Sequence, residues 1–246
     1  AFTNPDIRGY MEQTILQEME VVEDPEVRAK LVPDHMWGCK RPLFSNTYYP
    51  AFNQPNVTLI ADGIKRITPN GVITVSKRGT EVETEIDTLV LATGFEATKF
   101  LSVLDVTGRN GLDLSQAWED GAQAYKGTTT NGFPNLFMLY GPNINQGSLI
   151  TMIEWQTIHV VRHLERMADE GKSWMDVKAE PMAAYNVKMQ DDIEAVEPWN
   201  KQQGCNTYYR AESGRCVTQW PHSMGAYRDA LAADDFGDYD FSGKKV

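Results

Sequence analysis

Asp87-Thr88-Leu89-Val90-Leu91-Ala92-Thr93-Gly94-Phe95 is an almost unbroken apolar run that stops at a glycine. A strand without polar alternation is one buried on both faces, as in a parallel sheet covered by helices. The glycine behind it lets the backbone turn sharply or approach a ligand. A second run of the same kind, Asn135 to Tyr140, also ends at a glycine, Gly141. Together they predict an α/β fold containing part of a parallel sheet.

Outward from these runs the pattern changes. Upstream, Asn56 to Ile60, Ile64 to Thr68, Val72 to Ser76 and Glu81 to Ile86 are short β-type segments. Asn70-Gly71 between two of them signals a hairpin with a type I′ turn, so a small antiparallel meander is expected. Asn4-Pro5 and Asp24-Pro25 each place an N-cap before Pro at the first helical position. They open one helix over Ile7 to Glu20 and a shorter one that ends before Pro33. Downstream, Ile150, Ile153, Thr157, Val161, Leu164 and Ala168 share one face of a helix that starts after Ser148 and is capped at Gly171. A further helix is predicted from Pro181 to Ala195, and the chain beyond Trp199 reads as irregular and aromatic-rich.

The 246 residues carry 23 Lys+Arg against 34 Asp+Glu, a net charge of −11, with 41% hydrophobic and 23% charged residues. These are globular values that exclude a disordered or collagen-like chain, and the acidity argues against nucleic acid as the main partner. No apolar run approaches the roughly 20 residues of a membrane span. Cys39, Cys205 and Cys216 are too few and too scattered for a disulfide framework, so they read as buried free thiols in a reducing cytoplasm. The chain opens at Ala1 without an initiator Met or a signal peptide, as expected of a cytoplasmic piece cut from something longer.

Several motifs have plain explanations. His159 and His163 have the i,i+4 spacing of a zinc helix but no Glu after the first, so they read as partly exposed helix residues, with no metal. The four Asp between 234 and 240 lack the glycine and closing Glu of a calcium loop and read as a solvated tail. No two of the 19 glycines are separated by a single residue, so the chain has no GxGxxG loop to hold a pyrophosphate, and it has no Walker loop either. Arg41 alone would be a surface or ion-pair arginine. The loop Gly141-Pro142-Asn143, leading through Gly147-Ser148 to a helix N-terminus, would alone be structural, although such an end offers free N–H groups and a positive dipole.

In order along the chain, however, these segments form a specific set. It comprises Lys40-Arg41-Pro42, Tyr48-Tyr49 with Phe52-Asn53, the run 87–95, Phe133-Pro-Asn-Leu-Phe137 and Gly141-Pro142. Ile153-Glu154, Gly214-Arg215 and Trp220-Pro221 complete it. The set resembles the C-terminal half of type I Baeyer–Villiger monooxygenases, and the likeness covers most of the chain from about residue 24. The resemblance implies a partial two-dinucleotide-domain fold lacking its N-terminal Rossmann motif. Residues 1–38 would end a helical insertion, 39–85 would be the returning part of an NADPH-binding domain, and 86–246 the later part of an FAD-binding domain. The family signature F-x-G-x-x-x-H-x-x-x-W/P is not found.

The resemblance also implies roles. The intact enzyme would use FAD, NADPH and O₂ to convert ketones to esters or lactones through a peroxyflavin. Arg41 matches the active-site arginine that stabilises the flavin peroxide anion and the later tetrahedral intermediate. Lys40 matches a residue near NADPH. Leu149 matches a backbone N–H donor to the flavin pyrimidine edge, and Tyr208 stands where many relatives have Trp in a loop closing over NADP. Thr93, Gly94, Gly141, Pro142, Asn143 and Ser148 complete the cofactor-binding set. The missing half would be an implied partner, in the same enzyme or a second chain. Two rivals remain: an N- or S-oxygenating flavin monooxygenase, and a catalytically inert truncated or partner-bound module.

Overall fold

The computed structural model describes residues 4–242. The chain divides into two compact units: one runs up to Trp37 and resumes over Arg41–Phe95, and the other comprises Gly38–Lys40 and everything from Glu96.

In the first unit, helices α1 (Pro5–Glu18) and α2 (Pro25–Leu31) start where their caps predict. Asn4 Oδ1 accepts from the N–H groups of Asp6 and Ile7, and Asp24 Oδ1 from those of Glu26 and Val27. Met19 and Val22, between the helices, are almost fully buried. Asn53, behind the short helix α3 (Tyr48–Ala51), anchors that stretch by donating to Val21 O and accepting from Glu23 N–H. The meander is β1 (Gly63–Ile67), β2 (Gly71–Val75) and β3 (Glu81–Glu85), antiparallel in sequence order. Asn56–Ile60 forms no strand.

The predicted hairpin is present, but its turn is of another kind. Neither Asn70 nor Gly71 has a positive φ. The Thr68 hydroxyl instead accepts from Asn70 N–H and Gly71 N–H, closing the loop around Pro69. Gly71 is needed for a different reason: a Cβ there would lie 2.1 Å from Thr84 O on the neighbouring strand.

The second unit is built around α5 (Leu149–Asp169) and α6 (Ala179–Glu194), with the small helices α4 (Leu114–Ala117) and α7 (Met224–Ala232). α7 lies within the stretch expected to be irregular. Strands β4 (Met175–Val177) and β5 (Tyr239–Phe241) pair antiparallel, Asp176 opposite Asp240. One core cluster joins Leu114, Trp118, Ala122, Ala124, Phe133 and Met138, and another joins Tyr125, Met167, Met175, Val177 and Tyr239.

Five expectations are corrected. Residues 87–93 and 135–140 are not strands, and Leu89, Val90 and Leu91 are exposed. A parallel strand exists only by hydrogen bonding to neighbours, and among the described residues none runs beside either segment. The apolar stripe of α5 faces outward: Ile150, Val161 and Leu164 are exposed, whereas Met152, Gln156, His159, His163 and Met167 are buried. Polar side chains win the inner face because each finds a partner there, as described below. His159 and His163 are therefore interior residues. The acidic stretch is not a solvated tail, since Asp235 is buried and Tyr239–Phe241 is a strand. Finally, Cys39 and Cys205 form a disulfide, their Cα atoms 5.8 Å apart, and only Cys216 is a buried free thiol. A pairing across 166 residues of sequence leaves no trace in local spacing.

These exposed apolar segments predict how the isolated chain behaves. Val90 at 81%, Leu91 at 71% and Phe95 at 99% exposure should bind a hydrophobic fluorescent dye or drive self-association. Val90→Lys with Leu91→Glu should reduce both. A monomer in sedimentation that fails to enhance dye fluorescence would contradict this account.

Candidate functional site

The loop that delivers α5 is the best-defined part of the site. Tyr140, Asn143 and Gly147 all take positive φ, so the chain winds tightly between Met138 and the helix. Asn143 N–H donates to Val217 O at 2.9 Å and Asn145 N–H to Thr218 O at 2.8 Å. The Asn143 side chain is buried and donates to Cys216 O and Gln219 O. It is thus engaged in pinning the loop. Gly141 packs directly on Gly127, where a Cβ would come within 2.3 Å of the Gly127 carbonyl oxygen. Ile144 is fully buried between these contacts.

Gln156, one residue of the buried face of α5, was not singled out from the sequence. Its Oε1 accepts from Tyr140 N–H at 2.9 Å and its Nε2 donates to Gly127 O at 3.0 Å. One amide thereby holds both backbone turns that meet at Gly141. The signal for it was a glutamine inside a helix whose neighbours are large and apolar.

At the helix start, Ser148 is the N-cap and its hydroxyl faces Thr151 N–H and Thr151 Oγ1. The N–H groups of Leu149 and Ile150 lie in the first turn, where no intrahelical acceptor exists, at the positive end of a 21-residue helix. Such an end can donate to an electron-rich ligand atom and stabilise negative charge on it.

The remaining candidates divide between the units. Arg41, Thr93 and Gly94 belong to the first and are exposed; Lys40 belongs to the second and is exposed as well. Tyr208 is half exposed, its ring edge-on to buried Tyr209 with centroids 4.6 Å apart. Within the second unit, then, Gly141, Pro142, Asn143, Ser148 and Leu149 form one continuous structure. Other motif residues serve the framework: Arg215 donates to Asn186 Oδ1 and Trp220 Nε1–H to Ser223 O.

Below α5 lies a charged cluster. Asp235 accepts from the Lys126 ammonium at 2.7 Å, and His163 Nε2 stands 3.2 Å from its other oxygen. His159 and His163 direct Nδ1–H to the carbonyls of Leu231 and His159. The three side chains turn ligand-type atoms toward one another within 4.8 Å, but Lys126 already supplies a cation to the carboxylate. Burial favours the charge-free form of Asp235, yet its contacts with His163 and Lys126 outweigh it and hold the carboxyl at about 2. Burial lowers His159 to about 4, against a partial opposing pull from Asp235.

No glycine motif provides for a dinucleotide pyrophosphate. The direct strand-to-helix passage from β4 to α6 goes through Lys178 without a glycine. The Ser148–Leu149 helix start offers N–H donors to an electron-rich ring edge, and the sequence offers no glycine cradle for a diphosphate.

With this geometry established, comparison with known proteins gives a consistent picture. No protein-family model matches the chain. A Baeyer–Villiger monooxygenase of Pseudomonas aeruginosa is 41% identical over 210 residues, 84% of this chain and 39% of that protein. One of Streptomyces coelicolor is 35% identical over 244 residues, 97% of this chain and 46% of that protein. The crystal structure of cyclohexanone monooxygenase from Rhodococcus sp. Phi1 bound to NADP+ superposes with a TM-score of 0.83 at 29% identity, covering 99% of this chain and 46% of that one. In sequence and in fold the chain is similar to part of a Baeyer–Villiger flavin monooxygenase, the resemblance that its motifs carry. It spans less than half the length of these relatives.

Two measurements test the framework. Gly141→Ala must push backbone against backbone and should cost roughly 1–3 kcal/mol, while Gly237→Ala, with nothing within 4 Å of its Cβ, should stay within about 0.5 kcal/mol. Urea midpoints compare them. For His159, the unfolded chain binds the proton below about 6.5 and the folded chain only below about 4. Its contribution is complete above pH 6.5 and is lost as pH falls toward 4, up to about 3 kcal/mol. Stability measured across this window should flatten in His159→Gln; an unchanged slope would refute the burial account.

Proposed function

We propose that this chain supplies the anion-stabilising arginine and the flavin-edge donors of an FAD- and NADPH-dependent monooxygenase that places one oxygen atom of O₂ beside a ketone carbonyl, giving an ester or lactone. The observation that carries this reading is the Gly141–Leu149 loop, which opens a long helix whose first N–H groups have no intrahelical acceptor. It lies in a chain that aligns over 97% of its length with a Baeyer–Villiger monooxygenase. When bound, the two cofactors supply the hydride and the oxygen chemistry.

The protein's part is charge and placement. Leu149 N–H would donate to the electron-rich edge of the flavin ring, where the positive end of the α5 dipole would favour negative charge. Arg41 presents a permanently charged, forked set of donors to the oxyanion that develops at the substrate carbonyl. Lys40 would serve NADPH through its charge and Tyr208 from a loop closing over it, while Thr93 and Gly94 would let backbone approach FAD. The diphosphates are held by a glycine-motif half, in the same protein or in a second chain. Residues 39–85 belong to the NADPH-binding domain and 86–246 to the FAD-binding domain.

Two experiments bear on this. The chain by itself should bind FAD more weakly than about 1 μM, near −8 kcal/mol, by titration; tighter binding would show a diphosphate cradle here after all. In the enzyme with its glycine-motif half, Arg41→Ala should lower ester formation roughly 10²–10³-fold, about 3–4 kcal/mol. Reduction of FAD by NADPH should largely survive, and Arg41→Lys should rescue little. If ester formation stays within about threefold, under 1 kcal/mol, Arg41 is not the anion-stabilising group.

A further inference from the structure

The Cys39–Cys205 bond joins two segments that carry assigned residues. Cys39 directly precedes Lys40 and Arg41, and Cys205 lies three residues before Tyr208. Gly38–Lys40 belongs to the second unit although the residues on both sides of it, Trp37 and Arg41, belong to the first. Two links hold this short segment in place. One is the disulfide; the other is a hydrogen bond from buried Trp199 Nε1–H to Gly38 O at 2.9 Å. Gly38 is buried with φ of 92°, a conformation that suits glycine.

The partner loop is built from weak elements. Between Trp199 and Tyr209, both buried, it contains a single 3₁₀ turn (Lys201–Gln203) closed by Gly204 in the left-handed region. Lys201 and Tyr208 project from it into solvent. Cys39 is fully buried, whereas Cys205 is half-buried, so a small thiol can reach only the Cys205 end.

We propose that Cys39–Cys205 is a thiol-exchangeable tether that positions the Lys40 segment against the Tyr208 loop, and that its redox state sets how well the two serve the nicotinamide dinucleotide. The dinucleotide part rests on the roles proposed above for Lys40 and Tyr208. In the exchange, the thiolate of a small thiol attacks Cys205 Sγ, the protein S–S bond breaks, and Cys39 leaves as a thiolate and takes up a proton. A second small thiol attacks the mixed disulfide and releases Cys205. The sum is one protein disulfide and two small thiols giving two protein thiols and one small disulfide. The reverse, driven by a small disulfide such as oxidised glutathione, restores the tether. Cys39 and Cys205 are positioning residues, acting through Lys40 and Tyr208.

The chain carries its own reporters, because trypsin can cut after exposed Lys40 and Lys201. Thiols are first counted in the denatured chain after oxidation by glutathione disulfide. One titratable thiol, from Cys216, is expected, rising to three after dithiothreitol. Three before reduction would overturn the proposal. Next, the folded chain is cut briefly with trypsin in each redox state. Cleavage after Lys40 and Lys201 should be at least fivefold faster in the reduced chain, while cleavage elsewhere is unchanged. Cys39→Ala with Cys205→Ala should match the reduced rate and ignore dithiothreitol. Equal rates in both states of the wild-type chain would overturn the proposal without reliance on any variant.

In the enzyme with its glycine-motif half, reduction should raise the KM for NADPH three- to tenfold while kcat stays within twofold. Lys40→Ala separates the possible failures. If it raises KM and reduction does not, the tether is wrong and the Lys40 assignment stands. If neither changes KM, the Lys40 assignment is wrong and the inference falls with it.

Discussion

The buried amide of Gln156 is the point on which the second unit turns. It accepts from one turn and donates to the other, fixing Tyr140 and Gly127 against α5. A neutral amide can do this because it offers both a donor and an acceptor in one plane; a carboxylate would repel the Gly127 carbonyl and an aliphatic group would leave that buried carbonyl without its partner. Gly141 can then touch Gly127, the loop can follow the Val217–Thr218 backbone, and the helix start emerges at Ser148. The Gly141–Leu149 loop presupposes that clamp.

The same logic explains why α5 is inverted. An apolar stripe gains by leaving water, but a buried polar group that finds a hydrogen-bond partner loses less, and here the partners are fixed by the surrounding loops. His159 and His163 give their Nδ1–H groups to carbonyls, and Asp235 draws Lys126 inward. Phe236 stacks on His163 with centroids 4.4 Å apart, closing the cluster from water. Apolar residues such as Ile150 and Leu164 are left on the outer face.

Local chemistry was legible in the sequence. The caps at Asn4, Asp24 and Ser148, the left-handed Gly171 behind α5, and the three meander strands all lie where short-range rules put them. What the sequence concealed depended on distant residues. The run at 87–93 has the composition of a buried strand, but composition cannot create the neighbours that make a strand. Asn143 has the look of a ligand-facing residue in a glycine loop, and only the carbonyls of Cys216 and Gln219, more than 70 positions away, reveal its occupation. Helical periodicity located α5 but could not say which face its surroundings would claim. The ordered set of motifs, by contrast, survived because it samples the whole chain at once.

The bond between Cys39 and Cys205 also alters the chain as a thread. It turns 166 residues of separation into a closed ring. An unfolding machine that draws the chain in from either side of this ring would have to admit two strands side by side or stall. Pulled by its ends, the oxidised molecule would withhold roughly 550–600 Å of contour length, at about 3.3–3.6 Å per residue, that only a reductant could release.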